Sequence, residues 1–148
     1  MTWAPCQRIV RADVPPSFRV RGISAPLLLC WPNAALGSGA DYSVDFGPML
    51  CRDDRIVRVG ASTAGGTIAW TSVFGTLATL WVQWTTSGPQ TVQFSALTAN
   101  GAPLDVTVSI MVGAASLLTA PVPDDAPNAF LLGTAFLPDA AGNSLILG

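Results

Sequence analysis

The chain contains no lysine, no glutamate and no histidine. Its seven basic residues are all arginine, its nine acidic residues are all aspartate, and only 11% of the 148 residues are charged, against roughly 25% in an average soluble domain. Without lysine and glutamate the strong surface helix formers are scarce, which weighs against a helical fold. Without histidine, a serine or cysteine nucleophile lacks its usual base, so the common acid/base and nucleophilic sets cannot be assembled and a non-enzymatic protein is expected. Long apolar runs are missing too. They are broken by Gly, Pro, Asn or charge well short of the ~20 residues that cross a bilayer, so no membrane partner is expected. Cys6, Cys30 and Cys51 are odd in number with no short-spaced pair, which supports neither a disulfide framework nor a zinc motif and reads as reduced, mostly buried thiols. No cofactor or metal is expected.

The segment "MTWAPCQRIV" lacks the basic and apolar regions of a secretory signal, so synthesis in the cytoplasm is expected. A net charge of -2 argues against nucleic acid, which demands clustered cations. Arg8, Arg11, Arg19 and Arg21 bias the N-terminus, but Asp13, Pro15 and Pro16 interrupt them, and they read as a solvated or subunit-facing arm.

The periodicity present is that of strands. "LDVTVSIMV" puts Leu104, Val106, Val108, Ile110 and Val112 on one face and Asp105, Thr107, Ser109 and Met111 on the other. "TLATLWVQWTT" and "TVQFSALTA" are rich in β-branched and aromatic residues, and the "SGP" between them predicts an antiparallel hairpin. "NGAP" turns the second of these into the Leu104 strand, predicting a three-strand meander. Upstream, "RIVRVGAS" and "TIAWTSVF" add two more short strands. Short strands with no helical stretch between them indicate an all-β sandwich, with the compact unit over 41–113. Residues 1–40 read as an N-terminal arm, with a buried strand in "APLLLCWPN" and a flexible connector in "NAALGSGA". Residues 114–148 read as an apolar C-terminal extension after the breaker "PVPDDAPN". Its Phe130, Leu131, Leu132, Phe136 and Leu137 are too apolar for solvent and, with Arg19 and Arg21, are the candidate interface residues.

Four stretches invite a chemical reading. In "DYSVDFGPML" strand alternation buries Tyr42, Val44 and Phe46 and solvates Asp41 and Asp45, which lie ~13 Å apart along one strand, too far to share a substrate or metal alone. A calcium contribution from either with Asp53 or Asp54 is the weaker reading. Trp70, Trp81 and Trp84 have the chemistry to stack on a sugar, but their apolar neighbours favour core or interface packing. "RDDR" at 52–55 reads as a solvated loop. "TAGGT" lacks the lysine and helix of a phosphate loop.

The run "DYSVDF" with Asp54 and Ile56, the "LWVQW" strand, and "ALTANGAPLDVTVSIMV" together resemble the phage fiber-tail adaptor proteins, small Ig-like virion components. Asp41, Tyr42, Asp45 and Phe46 match that family's opening motif. Thr98, Gly101 and Asp105 match its closing turn, and Val106, Val108 and Ile110 its final strand. The resemblance covers about half of the chain and departs at "TTSGPQ", where the family has paired glycines. It implies an Ig-like antiparallel β-sandwich in a phage or prophage virion, made in the bacterial host and placed in the tail. Its partners would be other tail, fiber, connector or capsid proteins, with the chain a homo-oligomer or ring. A capsid decoration protein and a carbohydrate-binding module are the alternatives.

Overall fold

The computed structural model describes residues 8–12, 29–115, 119–129, 131–132, 135–136, 138 and 146. Two sheets face each other. The first, in the order β1 (Ile9–Arg11), β4 (Gly39–Asp45), β7 (Leu77–Trp84), β6 (Gly66–Phe74), has four strands. The second has the order β2 (Leu29–Cys30), β9 (Pro103–Ala115), β8 (Gly88–Thr98), β5 (Ile56–Thr63), with β3 (Ala34–Leu36) also on β9. From β4 onward the strands divide between the sheets as the B to G strands of an immunoglobulin-like sandwich do, B-E-D in one layer and G-F-C in the other. The one described helical element is a single 3-10 turn at Gly47–Met49. The all-β, Ig-like sandwich expected from the sequence is the fold of the chain.

Alternation builds the core. Ala78, Leu80, Val82 and Trp84 of β7 and Val92, Phe94 and Ala96 of β8 point inward from opposite sheets, with Val106, Val108, Ile110 and Val112 beside them on β9. Because every second residue is apolar on each strand, stacking two such faces removes both from water at about 25 cal/mol per Å².

Three expectations change. The strands around "SGP" do not form a hairpin: β7 pairs with β4 and β6, whereas β8 pairs with β5 and β9. The Thr85 and Thr86 amides both donate to the Gly65 carbonyl, which draws the chain across to the β5–β6 turn and into the other sheet. The meander therefore shrinks to the β8–β9 hairpin. The connector "NAALGSGA" is strand on both sides of a tight link. There Gly37, at φ 83°, and Ser38, bonded back to the Ala35 carbonyl, pass the chain from the second sheet to the first. Finally, the described parts of residues 1–40 belong to the sandwich. β1 lies parallel on β4, and β2 and β3 lie parallel on β9, so both sheets are mixed rather than purely antiparallel, and Ala12 and Trp31 are core residues.

Candidate functional site

The opening stretch lies at the centre of the molecule. Tyr42, Val44 and Phe46 are buried as alternation requires. The Tyr42 ring packs on Trp31 at 5.0 Å and on Trp84 at 5.8 Å, and Trp31 meets Phe94 of the other sheet at 5.9 Å. Each indole has a partner: Trp84 Nε1 donates to the Tyr42 hydroxyl at 3.1 Å, and Trp31 Nε1 to the Ser43 carbonyl at 3.1 Å. Arg8 caps the Tyr42 ring at 5.4 Å, a cation–π contact. Trp84 is thus core, with its polar edge satisfied, and offers no stacking platform.

Asp45 has a structural task. Its Oδ1 accepts from the Gly47 amide at 2.8 Å and from the Thr76 hydroxyl at 2.8 Å, fastening the end of β4 to the β6–β7 turn. Asp54 does the same for the second sheet at the same end of the sandwich, accepting from the Arg55 amide at 2.9 Å and, across to the β8–β9 turn, from the Asn100 amide at 3.2 Å. Partial burial works to raise the Asp54 pKa, but the hydrogen bonds from Thr98, Arg55, Asn100 and Ala99 outweigh it and hold the carboxyl below its ordinary range. The neighbours of Asp54 in "RDDR", Arg52, Asp53 and Arg55, are exposed. Among the described residues no three His, Cys, Asp or Glu side chains gather as metal ligands. Asp45 and Asp54 therefore each anchor a turn, one on each sheet.

The two outward faces of the sandwich differ in what covers them. On the first sheet, cross-strand rows run Asp41–Trp81–Trp70, Ser43–Thr79–Ser72 and Asp45–Leu77–Phe74. Ser43, Thr79 and Ser72 are buried although they point away from the core, and the Ser43 and Thr79 hydroxyls share a 2.8 Å hydrogen bond. Part of the cover is the start of the C-terminal extension, residues 119–129. The Ala120 amide donates to Gly37, its carbonyl accepts from Gln83 Nε2 at 2.5 Å, and Ala126 is buried. Asn128 grips β6 from both ends of its amide, accepting from the Ser72 hydroxyl at 2.6 Å and donating to the Val73 carbonyl at 3.2 Å. The Trp81 ring lies over Gly39, where any side chain would collide with the ring and press on Ala120. Trp70 and Trp81 are half-buried here.

On the second sheet the outward residues Thr91, Gln93, Ser95, Leu97, Asp105, Thr107 and Met111 are exposed. Leu97 is 38% and Met111 47% accessible, and Val57, pushed out by a bulge in β5, is 50% accessible. Only Arg58 and Asp105 bring charge to these paired strands. Cys30 and Cys51 are exposed free thiols rather than buried ones, because Cys30 points outward beside Ser109 and Cys51 sits in the loop before β5.

Of the candidate interface residues, Arg19, Arg21, Phe130 and Leu137 lie outside the described residues. Leu131 and Leu132 form β10 (Leu131–Leu132), and Phe136 lies in β11 (Ala135–Phe136). These two strands pair antiparallel with each other, Leu131 opposite Phe136. The anchors Gln83 and Asn128 gave no apolar or charge signal in the sequence. An asparagine after "DDAP" reads as loop chemistry, and its partners lie 55 and 56 positions away.

No family model matches the chain, and no curated protein matches it. Among solved structures it is similar to the cysteine protease inhibitor EhICP2 from Entamoeba histolytica, at 7% identity over 73% of this chain and 100% of that one, with a TM-score of 0.37. It is also similar to the PKD domain from KIAA 1837 protein, at 13% identity over 66% of this chain and 96% of that one, with a TM-score of 0.36. Likenesses this loose carry no argument about activity. Among the described residues no helix is long and apolar enough to cross a membrane.

Proposed function

We propose that this chain is a structural, non-enzymatic virion protein of a bacteriophage or prophage, an Ig-like module that joins neighbouring tail components through protein–protein contacts. The observation that carries the reading is the second sheet's outward face. It is long, nearly uncharged, and interspersed with exposed Leu97, Met111 and Val57. A surface with so little charge suits a protein whose face is covered on assembly, since interface centres are depleted in charge. The resemblance of "DYSVDF" and "ALTANGAPLDVTVSIMV" to the fiber-tail adaptors adds the particle. The low overall charge and the apolar residues 130–137 fit the same use.

Antibody raised against the recombinant chain and applied to purified particles tests this by electron microscopy. Labelling of tails is expected. Labelling confined to heads turns the reading to a capsid decoration protein, and particles with no label overturn the virion assignment.

A further inference from the structure

The two strand edges on one side of the sandwich are treated differently. Along β6, Asn128 occupies the Val73 carbonyl. Along β5, the terminal strand of its sheet, no described strand pairs with the outer edge. β5 spans 8 residues, contains no proline, and leaves Val59 and Ala61 half-buried at the margin of the core beside the protruding Val57. Long open edges of this kind are usually blunted.

The charges on its sheet are offset. Arg58 stands beside Leu97, whereas Gly60 stands beside Ser95, which stands beside Asp105. The Ser95 hydroxyl donates to the Asp105 carboxylate at 2.5 Å. Within one chain, therefore, Arg58 and Asp105 occupy different rows. Gly60 is bare: a Cβ built there meets nothing within 4 Å.

We propose that two copies of this chain pair antiparallel through β5, about a two-fold axis perpendicular to the sheet at Val59. That register places Arg58 of one copy opposite Gly60 of the other and keeps outward residues facing outward. With strands about 4.8 Å apart, the Arg58 side chain extends across the bare α-carbon of the second copy's Gly60 toward the hydroxyl of its Ser95, which is hydrogen-bonded to the Asp105 carboxylate one strand further on. Symmetry makes the contact twice. Shifting the axis to residue 58 would oppose the two arginines directly, and shifting it to residue 60 would set Arg58 in the row of Gln93 and Thr107 instead. The charge complementarity thus selects one register, and pairing covers Val57, Val59 and Ala61. This rests on the assembly reading only in its choice of a second copy as occupant. Absence from particles would remove the virion and leave the dimer standing, and a monomer would do the reverse.

Sedimentation of the full chain at up to about 100 µM, a range that detects dissociation constants into the micromolar, tests it. A dimer is expected, with its dissociation constant raised at least about ten-fold by Arg58→Asp or by Asp105→Arg, and restored to within about three-fold of wild type when both are combined. Gly60→Arg and Gly60→Val fill open space in the monomer but block the crossing arginine, so both should sediment as monomers with an unchanged circular dichroism spectrum. A wild-type monomer, a dimer indifferent to both Gly60 variants, or a double variant no tighter than the singles would overturn the pairing.

Discussion

The outward faces of the two sheets carry similar residues and meet opposite fates. Ser43, Thr79 and Ser72 on the first are buried, while Thr91, Gln93, Ser95 and Thr107 on the second are exposed. Small hydroxyl side chains tolerate both environments, since each can find a partner when covered: Ser43 with Thr79, and Ser72 with Asn128. The cover, rather than the strand, decides which face meets solvent. One face is partly covered by the chain's own C-terminal extension, and the outward residues of the other are exposed.

The sharpest way to break this comparison is to place the same charge on each face. Thr79→Arg buries an unpaired cation and should cost at least ~3 kcal/mol or prevent folding, whereas Thr107→Arg should stay within ~0.5 kcal/mol of wild type. Urea unfolding of both variants reads the difference, and equal effects would erase the distinction between the faces.

A smaller effect isolates the cover itself. Asn128→Ala removes the hydrogen bonds to Ser72 and Val73 and strands the buried Ser72 hydroxyl, for an expected loss of ~1–2 kcal/mol. Hydrogen exchange at the Ala120 amide reports whether the rest of residues 119–129 loosens with it. Gln93→Ala on the open face should fall within ~0.5 kcal/mol.

The smallest effect lies at the end of the sandwich, where neither face contributes. Because hydrogen bonds lower the Asp54 pKa below the ordinary 3.8, its tie to Asn100 contributes stability above that value and loses it as pH falls through the lower folded-state value. Acid unfolding of Asp54→Asn should accordingly be less steep below about pH 4 than that of wild type. An identical acid limb would show that the carboxylate is not what holds this loop.

The sequence made some of this legible and hid the rest for physical reasons. The inward set of β9, from Leu104 to Val112, was readable because a period of two with one apolar face has a single interpretation. The burial of Tyr42, Val44 and Phe46 followed by the same rule. Alternation, however, tells which side of a strand faces the core and says nothing of which sheet the strand joins. The "SGP" turn therefore looked like a hairpin, although the Gly65 carbonyl sends β8 to the opposite layer. "NAALGSGA" looked like a connector because small residues and glycines mark loops and tightly packed strands alike. Ala120, Gln83 and Asn128 were invisible, since a single amide in a breaker carries no periodic signal and its partners are distant in sequence.

Thiol accessibility probes the two faces most directly. In a background where Cys6, Cys30 and Cys51 are replaced by serine, single cysteines are installed as Ser43→Cys, Ser72→Cys and Thr79→Cys on one face and Thr91→Cys, Ser95→Cys and Thr107→Cys on the other. The first three should resist a thiol reagent until denaturant is added, and the last three should react in the folded protein as free thiols do. Labelling of folded Thr79→Cys as fast as folded Thr107→Cys would contradict a covered face opposite an open one.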